Sequence, residues 1–301
     1  MITTFEQIYD LLRSKTKKRL VAAWGVDDHT ITAASKAIEL GIVDVTLVGD
    51  SAMIAKVCEE EKIDMSIFTI FDYKEELKAI AYAIDRINAG EGYILMKGLC
   101  STDKYMRAIL NKERGLLPPK ATLSHVSVLQ NPNYKKLIIL GDMAVIPAPD
   151  LKQKVAITNY VVNTAKALGN TMPKVAFIAA TEQMLEGMLA CVDAAVLSKK
   201  CDRGEIKGCV GDGPLALDVA ISPEAVEIKK LKSPVAGDAD CLVFPNIESA
   251  NVFYKSNSQL MKGVKQAAIM VGAKAPCVLS SRADSIETKL NSIALAAATA
   301  K

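Results

Sequence analysis

The sequence predicts an α/β protein of two three-layer α/β/α domains with a cleft between them, the second domain inserted into the first. Three observations lead there. Short apolar, β-rich runs alternate with longer segments of helical period, the pattern of a parallel sheet with helices on both faces. The texture changes after Pro118-Pro119, where two β-rich runs follow one another closely, and returns to the first style near residue 266. At 301 residues the chain has room for one large unit or two ordinary domains. The first domain is assigned residues 1–119 and 266–301, and the second residues 120–265.

The elements follow in order. Arg19 to Ala23 reads as a strand, and Asp27-Asp28-His29-Thr30 supplies N-cap residues for a helix carrying Ile31, Ala34 and Ile38 on one face. Gly41 stands where that helix needs a left-handed residue to end. Val43 to Val48 is a second strand, closed by Gly49-Asp50, and Ala52 to Glu61 a second helix. Phe68 to Phe71, Tyr73 to Asn88, Tyr93 to Met96 and Asp103 to Asn111 repeat the alternation. Leu123 to Gln130 and Leu137 to Leu140, joined across the turn Asn131-Pro132-Asn133, read as antiparallel strands. A new series then runs through a helix at Leu151 to Leu168, a strand at Val175 to Ala179, a mixed stretch at Val219 to Ile228 and a strand at Cys241 to Phe244. Ala267 to Val271 and Cys277 to Leu279 are strands of the returning style, and Ser285 to Ala298 is the final helix.

Composition excludes several function classes. Hydrophobic residues make up 50% and charged residues 24%, enough for a sizeable core and against disorder. The net charge of +3, from 37 basic and 34 acidic residues, is too balanced for a nucleic-acid or membrane-surface binder. The cysteines at 58, 100, 191, 201, 209, 241 and 277 are odd in number and contain no C-x-x-C pair, which speaks against a disulfide framework or a zinc site and for a reducing cytoplasm. Met1 to Asp10 does not read as a signal peptide, and no run of about 18 apolar residues reads as a membrane span.

Ser280-Ser281-Arg282-Ala283-Asp284-Ser285-Ile286-Glu287 is the richest stretch, placing hydroxyls, a guanidinium and two carboxylates where an apolar strand passes into a helix. Ligands collect at such strand ends, and the helix start offers free N–H groups to an anion. A capping box, Asp284 with Glu287 or Ser281 with Asp284, accounts for part of it. It gives no reason for Arg282, because an arginine at a helix N-terminus opposes the dipole unless an anion offsets it. Lys97-Gly98-Leu99-Cys100-Ser101-Thr102, with Arg107 in the helix that follows, has the glycine, hydroxyls and cation of an anion site. A plain strand-to-helix turn capped by Ser101 or Thr102 would look the same.

Gly208-Cys209-Val210-Gly211-Asp212-Gly213-Pro214 lacks the G-x-G-x-x-G spacing of a dinucleotide site and reads as a loop whose glycines let a ligand or another backbone come close. Lys97-Gly98 lacks the rest of a P-loop. His29 reads as a helix-start residue and His125 as a strand residue. Asp142, Asp212, Asp218, Asp238 and Asp240 show no metal-loop spacing and read as caps and turns, and Cys277 reads as core.

Four segments carry a resemblance to a known family. Cys100-Ser101-Thr102 with Arg107 is similar to an H-S-T-x-x-x-x-R phosphate-binding segment, with cysteine for histidine. Asp142 to Pro149 looks like a D-x-A-V-x-P-x-P stretch. Asp212-Gly213-Pro214-Leu215 with Asp218, then Val235 to Asn246 and Asn251 to Lys255, resembles the longest signature, and Ser281-Arg282 a serine-arginine pair at the coenzyme A thiol. Together they resemble the phosphate acetyl/butyryl transferases, and their butyryl branch more closely, since S-R-A-D-S-x-E-x-K is reproduced. In the acetyl branch an aspartate follows the serine by seven residues as the base; here that position is Thr288.

The resemblance implies an isocitrate/isopropylmalate dehydrogenase-like fold and transfer of a short acyl group between coenzyme A and phosphate. It implies Ser281, Arg282, Asp284 and Glu287 as catalytic residues, Ser101, Thr102 and Arg107 on phosphate, and Gly211, Gly213 and Pro214 on the coenzyme A or acyl side. No metal or other cofactor is expected, coenzyme A being a substrate. The partners expected are acyl-CoA and phosphate, with no nucleic acid and no membrane, in a cytoplasmic homo-oligomer, a dimer or higher. Phosphate acetyltransferase, a metal-dependent NAD(P) hydroxyacid dehydrogenase of similar fold and a non-catalytic binder of coenzyme A or acyl phosphate are the alternatives.

Overall fold

The computed structural model describes residues 2–279 and 284–301. The described residues divide into two compact units, one formed by Phe5–Leu123 with Ala267–Lys301, the other by residues 2–4 with Ser124–Gln266.

The first unit opens with α1 (Phe5–Arg13), whose Phe5, Ile8 and Leu12 form one buried face. Then β1 (Lys18–Ala23), α2 (Asp28–Glu39), β2 (Val43–Gly49) and α3 (Ser51–Glu60) alternate. A 3-10 turn at Met65–Ile67 leads into β3 (Thr69–Asp72), followed by α4 (Glu76–Asn88), β4 (Ile94–Lys97) and α5 (Thr102–Leu110). Caps explain several boundaries. The Asp27 carboxylate accepts from Thr30 N at the head of α2, Asp50 does the same for Ala52 and Met53 N at α3, and Gly41 takes φ 72° past the end of α2.

The other unit contains β5 (Ser124–Gln130), β6 (Leu137–Gly141), α6 (Leu151–Ala167), β7 (Lys174–Ile178), α7 (Leu189–Asp202), β8 (Val210–Leu215), α8 (Leu217–Ile221), α9 (Pro223–Lys229), β9 (Cys241–Val243) and α10 (Ile247–Leu260). Its strands lie in the order β5-β6-β9-β7-β8; only β5 and β6 pair antiparallel. Side-chain alternation along β6 divides the core. Ile138 and Leu140 join Leu242, Ala250 and Phe253 beneath α8, α9 and α10. On the opposite face Gly141 leaves room for Ile157 and Val161 of α6, whose side chains a Cβ there would meet at 2.7 and 3.0 Å.

The chain returns to the first unit with β10 (Lys265–Val271), β11 (Cys277–Val278) and α11 (Ile286–Thr299). The strand order there is β3-β2-β1-β4-β11-β10, parallel except for the β10–β11 pair. Both strands of the returning style are present, and they pair antiparallel with each other. Residues 272–276 are too few for a crossover, so the two strands turn back as a hairpin. Helices α2 and α11 pack together on one face, α4 and α5 on the other. Leu20 to Ala23 of central β1 are accordingly buried on both sides.

A correction concerns residues 210–215. The glycine-rich run expected as a loop is strand β8, paired in parallel with β7. A Cβ on Gly211 would meet Cys201 Sγ at 2.5 Å, and one on Gly213 would meet Phe177 Cβ at 2.7 Å and its carbonyl oxygen at 2.8 Å. These glycines let β8 close against β7 and α7. Among the described residues no helix is long and apolar enough to cross a membrane.

Candidate functional site

In the first unit the connections from β1 run through β2 to β3 on one side, whereas β4 and β11 lie on the other. The order therefore reverses between β1 and β4, and a crevice opens at the carboxyl ends of those strands. Two loops build it. After β1 the chain passes Trp24, held at φ 56°, to Asp27 at the head of α2. After β4 it passes Gly98 and Leu99 to Ser101 at the head of α5.

The loops are stitched together. Gly98 N donates to Ala23 O at 3.0 Å and Leu99 N to Trp24 O at 2.9 Å. A Cβ on Gly98 would stand 2.1 Å from Trp24 O, so only glycine permits this approach. Between them lies a cavity of about 180 Å³, lined by Asp27, Asp28, His29, Lys97, Gly98, Leu99 and, from α11, Lys289.

Lys97 ends β4 with a buried side chain whose Nζ donates to Gly98 O at 3.1 Å and Cys100 O at 2.9 Å. Lys289 stands on the buried face of α11. Burial holds its ammonium below the usual lysine pKa; the carboxylates of Asp27, Asp284 and Asp28 oppose that shift, and the charge of Lys97 adds to it. Two buried polar atoms of the cavity residues, Asp27 Oδ2 and His29 Nδ1, find no hydrogen-bond partner among the described residues. The other Asp27 oxygen accepts from Thr30 N at 2.9 Å, and Asp28 Oδ1 accepts from His29 N at 2.8 Å.

The residues expected from sequence divide around this crevice. Ser281 and Arg282 lie outside the described residues. Asp284 is half-buried and close enough to act on Lys289, while Glu287 is exposed in the first turn of α11. The N-cap of α11 is Ser285, which accepts from Thr288 N at 3.1 Å. The carboxylate of Asp284 is thus not the cap that the Asp284–Glu287 box required.

Ser101 caps α5, accepting from Lys104 N at 3.3 Å, and Thr102 is exposed beside it. Arg107, 80% exposed, pairs with Asp103 at 3.0 Å one turn back on the same helix. Cys100 points inward, its thiol pushed up to about 11 by burial. Strands β4 and β11 are parallel neighbours, Val278 opposite Met96, so the starts of α5 and α11 share one end of the sheet. Gly211, Gly213 and Pro214 belong to the other unit, buried in β8.

Lys289 was missed by sequence reasoning, and a signal was there. A lysine near a helix N-terminus opposes the dipole as Arg282 does. Two aspartates of the resemblance segments, Asp238 and Asp142, turned out to be framework. Asp238 pairs with Lys135, Lys136 and Lys174 at 3.2, 2.9 and 3.0 Å. Asp142 accepts from Ser124 Oγ at 2.9 Å and from Ala144 and Val145 N at 2.8 and 3.0 Å. His29 and His125 stand in helix α2 and strand β5, as expected.

A family model described as phosphate acetyl/butaryl transferase matches residues 3–85 and 76–297. The chain is 43% identical to a phosphate butyryltransferase of Clostridium acetobutylicum over 99% of its own length and 98% of that protein. It is 40% identical to a phosphate acetyltransferase of Thermotoga maritima over 97% of its length and 98% of that protein. Among solved structures, a branched-chain phosphotransacylase from Enterococcus faecalis V583 superposes with a TM-score of 0.82 at 28% identity, covering 94% of this chain and 98% of that one. A 4-hydroxythreonine-4-phosphate dehydrogenase from Burkholderia phymatum shares the fold alone, with a TM-score of 0.55 at 11% identity over 95% of this chain and 99% of that one.

Proposed function

Because the chain belongs to the phosphate acetyl/butyryl transferase family, we propose that it moves a short acyl group, butyryl by preference, between coenzyme A and phosphate. The observation that carries this is the 43% identity to a phosphate butyryltransferase along 99% of the chain. Preference for acetyl is the second reading, favoured by 40% identity to a phosphate acetyltransferase over nearly the same length.

In the direction of thioester formation, a side-chain base takes the proton from the coenzyme A thiol. The sulfur attacks the carbonyl carbon of the acyl phosphate, and the bond between that carbon and the bridging oxygen breaks, its electrons leaving with the phosphate. A free thiol has a pKa of about 8.5, so a positioned base raises the thiolate fraction at neutral pH. Ser281 orients the sulfur, and Arg282 stabilises charge on the carbonyl oxygen and the departing phosphate. Asp284 is the first choice of base and Glu287 the second. Ser101 and Thr102, at the start of α5, and Arg107 serve the phosphate side. None of these bond changes calls for a metal or redox cofactor. The seven free cysteines suit a reducing cytoplasm, and a homo-oligomer goes with the family reading.

The test is kcat/KM for phosphate-dependent cleavage across an acyl-CoA series from acetyl to butyryl and its branched isomers. In an apolar pocket each methylene is worth about 1–3 kcal/mol, so butyryl-CoA is expected to exceed acetyl-CoA by about tenfold or more. A maximum at acetyl would give the second reading its place.

A further inference from the structure

The cavity at the β1–β4 crevice holds two lysines more deeply buried than any role described so far explains. Lys97 is 5% exposed and Lys289 4%. Burying an ammonium is costly unless hydrogen bonds and opposite charge offset it. Each ammonium has three donors. Two from Lys97 meet the uncharged carbonyl oxygens of Gly98 and Cys100. Lys289 lines the same cavity. The two charges repel, and that of Lys97 helps keep the protonated form of Lys289 unfavourable. An anion shared between them removes that conflict.

We propose that a phosphoryl group, that of the acyl phosphate or inorganic phosphate itself, docks between the ammonium groups of Lys97 and Lys289. That the anion is phosphate rests on the acyl-transfer reading above; the anion site does not. Size supports a small oxyanion. About 180 Å³ is below the roughly 300–1,000 Å³ of pockets that take drug-sized ligands. Position supports it too, because the cavity lies at the topological switch point, with the N-terminus of the twelve-residue helix α2 in its wall. Asp27 and Asp28 are the opposing charges. Each spends one oxygen on the first turn of α2, and Asp27 Oδ2, unmet among the described residues, suits the hydroxyl of a phosphate that carries a proton.

The experiment compares wild-type protein, Lys289→Met, Lys289→Arg and, as a control for loss of a surface charge, Lys104→Met. Inorganic phosphate is the probe, read by the rise in Tm it produces and by KM for phosphate in cleavage of butyryl-CoA. Lys289→Met is expected to lose the Tm rise and to raise KM for phosphate by about tenfold or more, with KM for butyryl-CoA little changed. Lys289→Arg is expected to keep much of the phosphate response, and Lys104→Met all of it. A folded Lys289→Met with wild-type phosphate response overturns the proposal.

Should Lys289→Met not fold, the Nζ resonances of wild-type protein labelled with ¹⁵N-lysine decide. Phosphate moves two buried lysine signals if the site is as described, and no movement overturns it. If wild-type protein cleaves no acyl-CoA, yet phosphate raises Tm and Lys289→Met abolishes the rise, the anion site stands and the transferase reading falls.

Discussion

Asp284 and Glu287 are three residues apart, yet their surroundings differ. Glu287 is exposed in the first turn of α11. Asp284 precedes the cap, is half-buried and lies near the ammonium of Lys289. The base for the coenzyme A thiol is therefore expected at Asp284. In pH–rate profiles for acyl transfer to coenzyme A, Asp284→Asn should lose the most near neutral pH and recover partly as the pH nears the thiol pKa of about 8.5. Glu287→Gln should keep the wild-type profile. The opposite ranking would move the base to Glu287, and unchanged profiles in both would remove it from either carboxylate. At this scale the sequence was partly legible. The dipole mismatch singles out Arg282; Lys289 shares it, but its burial depends on the packing of α11 against α2 and cannot be read from spacing. Ser285 took the cap because its hydroxyl reaches Thr288 N, a choice that the spacing of the expected boxes at Asp284 and Ser281 does not give.

Elements were easier to read than residues wherever hydrophobic period and caps agreed. β1, α2, β2, α3, β4 and α5 fall within a few residues of expectation because strands buried on both faces read as apolar runs and their helices carry caps. β8 failed for a physical reason. Its glycines mark close packing inside a sheet, and from sequence that cannot be told from a loop. Helix α7 carries exposed Leu189, Val192 and Val196 amid polar residues, which blurs its amphipathic period. The loop after β4 supplies a prediction at this scale. Gly98→Ala forces a Cβ into a space 2.1 Å from Trp24 O, so the stitching of the two loops must give way. We expect a loss of about 1–3 kcal/mol, read in denaturant unfolding, with a fall in kcat/KM as the cavity wall moves. Wild-type stability and turnover in this variant would contradict the loop geometry.

Across the molecule, much of the family signature serves the fold. Asp238 gathers Lys135, Lys136 and Lys174 near the amino ends of β6, β7 and β9, away from the strand ends where ligands collect. Burial alone would raise its pKa, but hydrogen bonds from Lys136, Lys174 and Lys135 outweigh that and hold the carboxyl well below the usual range. A carboxylate depressed in the folded state contributes stability that is full above its unfolded pKa of about 3.9 and is lost as the pH falls below it. Asp238→Asn should therefore lower Tm by a few degrees at pH 7, and the gap to wild type should close as the pH drops from about 5 to about 2. A gap independent of pH would mean that Asp238 acts through shape and not charge.

The alternation of elements made the α/β class legible. The chemistry was legible only through motif likeness, because the cavity is assembled from α2, β4 and α11, segments distant along the chain. The most direct test of the account is release of free thiol from butyryl-CoA by purified protein with and without inorganic phosphate, with butyryl phosphate followed as its hydroxamate. Thiol release that requires phosphate and matches the hydroxamate mole for mole is the predicted result. Thiol release of equal rate without phosphate, or none under either condition, would contradict it.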